Sequence, residues 1–227
     1  DHAGLFPSGT PNVVIAYTSG DHVVYRLLDT AGGDAGGPTS IDDPHSSNPD
    51  VAVLNSYTTF SGGTLTSHAG GFAIATQDLW MGTGTDSDID LRFYSNAGTL
   101  QRLVVVDSSS ATTDTDPQVV QLDNGNVAVT WMRTEGTSTS IRYAVYNRDG
   151  SVIVQASTAL DAAGPINHDP AIVATDYGFA VLYQDRTTSG APPFFFSSNA
   201  IRMVSLDFDG NVLGARNLVS VALGQVW

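Results

Sequence analysis

The sequence predicts an all-β chain, a β-propeller of four four-stranded repeats. Three observations carry that expectation: a strand motif that recurs along the chain, a composition of turn and strand formers, and the absence of any helical period. A β-sandwich, or an arc of a larger propeller, is the alternative architecture.

The third copy of the motif is the clearest. Asp116-Pro117 opens it, Leu122 and Gly125 frame a turn, Val127 to Trp131 form an apolar run, and Ile141-Arg142 leads to Asn147-Arg148-Asp149-Gly150. The fourth repeats the order with Asp169-Pro170, Gly178 to Tyr183, Ile201-Arg202 and Asp207-Phe208-Asp209-Gly210. The second reads Asn48-Pro49, Gly71 to Thr76, Leu91-Arg92 and Ala97-Gly98. The first lacks the head of the motif and starts at Pro11, passing through Tyr17, Tyr25-Arg26 and Gly32. Each part has a physical reading. The residue before proline avoids the helical region, so the X-Pro pair is expected to open an extended strand. Gly71, Gly125 and Gly178 are expected to reverse the chain, and Gly32, Gly98, Gly150 and Gly210 to supply positive φ in a hairpin. The approximate units are 1–43, 44–112, 113–164 and 165–227, within one domain.

These residues, Asp116-Pro117, Leu122, Gly125, Trp131, Ile141-Arg142 and Asp149-Gly150, resemble the propeller-like repeats of large exported bacterial proteins of the RTX-associated type. The resemblance spans all four units and is best in the third and fourth; Tyr17 and Thr76 replace the tryptophan in the first two. It implies a propeller-like module in an extracellular, periplasmic or cell-surface protein, and its motif residues build the fold rather than a site.

Composition narrows the function classes. The chain has no lysine, nine arginines, 22 aspartates and one glutamate, Glu135, for a net charge of −14. Nucleic acid is excluded as a partner, because its phosphates need clustered cations, and an anionic membrane surface is disfavoured. No apolar run approaches the ~20 residues of a membrane span. Without cysteine there is neither a disulfide framework nor a thiolate metal site. Asp1 in place of methionine points to a processed chain or a portion of a longer one.

Candidate sites lie where the copies differ. Asp86, Asp88 and Asp90 alternate along the stretch after Gly82 and Gly84, offering hard oxygen ligands suited to Ca²⁺. The spacing departs from the calcium nonapeptide at Asp88, where that repeat has an apolar residue, and a solvated loop is the competing reading. Arg26, Arg92, Arg142 and Arg202 recur on each third strand, either as a guanidinium ring for an anionic or sugar ligand or as repeated structural ion pairs. Phe194, Phe195 and Phe196 follow two prolines in a gap of the fourth unit, and Trp80 sits in the matching gap of the second. Exposed aromatics there would make a rim for a protein or carbohydrate partner.

No nucleophile elbow, phosphate loop or zinc-protease helix is present, and 22 aspartates offer too many carboxylate pairs to choose among. The expectation is therefore a non-catalytic recognition or assembly module, exported by a bacterium, that binds a protein subunit or carbohydrate through rim loops, with Ca²⁺ as the one candidate cofactor. The alternatives are a polysaccharide hydrolase or lyase using aspartates in a central funnel, and a structural subunit of a larger extracytoplasmic complex.

Overall fold

The computed structural model describes residues 2–5, 13–29, 31–79, 86–110, 112–160, 166–189 and 195–226, some of them by backbone alone. Every regular element among them is a β-strand, as β-branched and aromatic residues favour, with Asp and Gly serving the turns. β1 (His2–Leu5), β2 (Val13–Ser19), β3 (His22–Leu28) and β4 (Thr39–Pro44) form the first antiparallel sheet, in that order. β5 (Ser46–Leu54) is followed by a separate hairpin, β6 (Tyr57–Ser61) and β7 (Thr64–His68). β8 (Gly71–Leu79), β9 (Ser87–Ser95) and β10 (Leu100–Asp107) then complete a meander with β5. β11 (Thr113–Gln121), β12 (Val127–Glu135), β13 (Ser138–Tyr146) and β14 (Val152–Ala159) form the next. One parallel bridge, Thr113 beside Ser87, merges these two meanders into an eight-stranded sheet. β15 (Ile166–Thr175), β16 (Gly178–Ser189), β17 (Phe195–Asp207) and β18 (Val212–Val226) make the last sheet.

Among the described strands no sheet closes on itself. Among the described residues β1 pairs only with β2, and β18 only with β17. The first meander, headless in the sequence motif, thus has a fourth strand from His2–Leu5, and that strand completes its own sheet instead of crossing to the C-terminal segment.

The X-Pro pairs behave differently from expectation. β5, β11 and β15 are already under way when they reach Asn48-Pro49, Asp116-Pro117 and Asp169-Pro170. At each pair the register slips, between Ser47 and Asp50, Thr115 and Gln118, and His168 and Ala171. Asn48, Asp116 and Asp169 have φ of 46°, 55° and 51°. Proline cannot donate to the ladder, and Asn and Asp tolerate the left-handed region, so the pair makes a β-bulge inside the strand rather than its start.

Five of the hairpin turns follow one chemistry. In Asn147–Ser151 the Gly150 N–H donates to the Asn147 carbonyl and the Asn147 N–H to that of Ser151, with Gly150 at φ 80°. The same pair of bonds recurs around Gly32, Gly98, Gly125 and Gly210. Gly71 and Gly178 do not reverse the chain. They begin β8 and β16, where a Cβ would stand 2.1 Å from the Tyr94 carbonyl oxygen and 2.2 Å from that of Leu206, so close backbone approach is what requires glycine.

Three apolar layers hold successive meanders face to face. Val14, Tyr25 and Leu27 meet Val51, Phe72 and Tyr94 across the first, with Phe72 stacked on Tyr94 at 4.9 Å. Leu91 and Phe93 meet Val119, Val129 and Trp131 across the second. Ile141, Tyr143 and Val145 meet Phe179, Tyr183 and Leu206 across the third. Buried hydroxyls lock the layers: Tyr25 donates to the Gly98 carbonyl and Tyr143 to that of Gly210, each at 2.7 Å. Tyr143→Phe is expected to cost about 1–2 kcal/mol, the worth of one hydrogen bond and a carbonyl left unpaired, as a lower urea midpoint at unchanged m-value.

Candidate active site

One end of the eight-stranded sheet gathers carboxylates. Antiparallel pairing sets Asp78, near the end of β8, beside Asp88, near the start of β9. Asp107 ends β10 opposite Ile89. Asp114, near the start of β11, faces Arg133 near the end of β12. The bulge at Asp116-Pro117 lies two residues beyond Asp114 and separates its register from the rest of β11. Ser87, fully buried, donates to the Asp114 carbonyl at 2.7 Å and ties the two strand starts together.

Arg133 organises this end. Its Nε and Nη2 donate to the two oxygens of Asp114 at 2.8 and 2.7 Å, a bidentate fork, and Nη2 also bridges to Asp107. Asp114 is 0% exposed. Burial pushes its carboxyl above the ordinary value, while the paired guanidinium and the nearby Trp131 indole oppose that push; Arg133 is raised in turn, chiefly by its hydrogen bond to Asp114. The Trp131 N–H itself makes no hydrogen bond of good geometry.

Among the described residues Asp88 has no such cation. Burial, then the negative charges of Asp86, Asp114, Asp107 and Asp78, push its carboxyl up to about 6. One oxygen each of Asp86 and Asp88 is buried without a hydrogen-bond donor among the described residues. A carboxylic acid whose titration is raised toward neutrality beside other carboxylates is an arrangement suited to general acid–base chemistry.

The three aspartates read as a Ca²⁺ set do not converge. Asp90 is turned to Arg92 at 3.0 Å, and Arg92 also donates to Thr76 at 2.9 Å, a buried knot against the first sheet. Among the described residues no three carboxylate or imidazole groups surround a single point. Each recurring arginine faces a carboxylate of its own meander: Arg26 bonds Asp34, Arg142 lies 3.7 Å from Glu135, and Arg202 lies 3.9 Å from Asp185. Their cross-strand partners also differ, Ile15 and Ile74 for Arg26 and Arg92 but Trp131 and Tyr183 for Arg142 and Arg202. Trp80 and Phe194 lie outside the described residues. Phe195 and Phe196 belong to the ladder of β17, with Phe196 opposite Ser189, and not to a loop.

Asp107, Asp114 and Arg133 escaped the sequence reading. A signal was there: Arg133 stands two residues after Trp131, where the second and fourth copies carry Asp78 and Asp185 two residues after Thr76 and Tyr183.

No protein-family model and no curated protein matches the chain. Among solved structures it is similar to an exo-1,5-alpha-L-arabinanase from a bovine ruminal metagenomic library. The identity is 12%, the alignment covers 98% of this chain and 78% of that one, and the TM-score is 0.43. That neighbour is described as a hydrolase, against the expectation of a non-catalytic recognition or assembly module.

Proposed function

We propose that the chain is a polysaccharide hydrolase whose general acid is Asp88, built on meanders arranged as successive blades of a β-propeller. The observation that carries the reading is the gathering of Asp78, Asp88, Asp107 and Asp114 at one end of the eight-stranded sheet, where burial and the charged neighbours push the Asp88 carboxyl up to about 6. Glycosidic cleavage needs one carboxylic acid to protonate the leaving oxygen and one carboxylate to assist water or the anomeric carbon on the other side. Asp88 supplies the proton. Asp86, two residues away with a buried unpaired oxygen, is assigned in this proposal as the carboxylate that acts with it. Asp114 and Asp107 are engaged by Arg133 and act as positioning residues that sustain the field on Asp88.

The net charge of −14 favours a neutral polymer over a uronate-rich one, and so hydrolysis over β-elimination. The resemblance of the repeats to those of exported proteins supports an extracytoplasmic setting. The test is the release of reducing ends from a panel of neutral and acidic polysaccharides, arabinan among them. Turnover of a neutral polymer that Asp88→Asn abolishes is the expected outcome; turnover untouched by that change removes Asp88 from the chemistry.

A further inference from the structure

The three layers between meanders share a second contact. In the second, third and fourth meanders the third-to-fourth strand turn seats its glycine on the third or fourth strand of the preceding meander. A Cβ on Gly98 would stand 2.9 Å from the Tyr25 hydroxyl, one on Gly150 would stand 2.8 Å from Arg102 and 3.0 Å from Val104, and one on Gly210 would stand 2.6 Å from Val154. The last sheet has the same seat, and none of the described turns occupies it. Met203 precedes its turn glycine by the same seven residues as Tyr25 and Tyr143 do theirs. With Ser205, Leu213, Gly214, Ala215 and Arg216 it lines an open cavity of about 340 Å³. The surrounding face is uncovered: Ile201 is 39% exposed, whereas Ile141, its counterpart under the last sheet, is 0% exposed. At the other end of the chain Gly32, in the matching turn of the first sheet, has no heavy atom within 4 Å of its Cβ position.

We propose that this seat receives the Asp29–Gly32 turn of a second copy, so that the first sheet of one chain packs on the last sheet of another. The occupant follows from the repeat: three seats in this chain hold such a turn, and one such turn is unseated. The charges agree, since Arg216 lines the cavity and Asp29 caps the incoming turn, as Arg102 helps lower the Asp149 carboxyl in the turn it receives. The contact is head-to-tail, so it builds rings or open chains according to whether the rotation closes.

Two variants block the two halves. Gly214→Arg fills the cavity, at a position where a Cβ meets nothing within 4 Å, and Ala31→Arg obstructs the exposed turn. Light scattering across a concentration series is expected to give a wild-type mass above 23.8 kDa that rises with concentration. Each variant alone should stay at 23.8 kDa with an unchanged circular dichroism spectrum, and an equimolar mixture should give twice that mass, because one open seat and one open turn remain. A wild type that holds 23.8 kDa at every concentration overturns the proposal, whether the turn folds back onto its own chain or the seat stays open. Self-association that neither variant weakens overturns it equally.

Discussion

Asp88→Asn is expected to abolish glycan hydrolysis while making the protein more stable above pH 6. The amide cannot donate an acidic proton to a leaving oxygen, and loss of a positioned general acid lowers turnover by about 10²–10⁴-fold. The stability effect follows from linkage. Asp88 titrates near 6 in the folded protein and near its ordinary 3.8 when unfolded. Between those values the folded state keeps a proton that the unfolded chain has released. The benefit of the neutral carboxyl is complete below about pH 4 and is lost as pH rises through 6, where the group must ionise among Asp86, Asp114 and Asp107. Two units at ~1.4 kcal/mol each set an upper figure near 3 kcal/mol, and partial solvent access brings it to about 1–2 kcal/mol. Thermal melts at pH 4 should therefore overlay for the two proteins, and at pH 8 the variant should melt a few degrees higher. A variant less stable than wild type at pH 8 would contradict this electrostatic account.

Arg133→Met is expected to be among the most destabilising single changes in the chain. The guanidinium makes two hydrogen bonds to a fully buried carboxylate and a third contact to Asp107. Methionine fills much of its volume but leaves both acids without a cation. Breaking a buried pair from one side costs about 3–5 kcal/mol, because the remaining charge stays desolvated. The double variant Arg133→Met with Asp114→Leu removes that stranded charge, and its urea midpoint should recover most of the loss. Equal midpoints for the single and double variants would show that Asp114 is not the group Arg133 neutralises.

Local chemistry in the sequence was a good guide to strands and turns and a poor one to the site. The hairpin glycines at 98, 150 and 210 were readable because a turn demands φ > 0 within four residues of chain. The bulges at Asn48, Asp116 and Asp169 were not, since the residue before proline normally avoids the conformation these three adopt. The β6–β7 hairpin, which turns on Gly62-Gly63 at positive φ, went unread because its strands fall outside the recurring motif. At the site, Asp86 and Asp88 stood out by their alternation, which suggested a cation because their surroundings were hidden. What makes Asp88 an acid is first its burial, then the charges of Asp86 and of Asp114 and Asp107, 26 and 19 residues further along the chain, an environment set by strand pairing that composition cannot show. Arg133 was equally hidden, because its partner Asp114 belongs to a neighbouring strand.

The pH dependence of kcat/KM on whichever neutral polysaccharide the wild type cleaves is the most direct test. The account predicts an alkaline limb with a midpoint near 6, set by Asp88, and no measurable turnover by Asp88→Asn at any pH. Wild-type activity that stays flat through pH 6–8, or an Asp88→Asn variant that keeps its turnover, would contradict it.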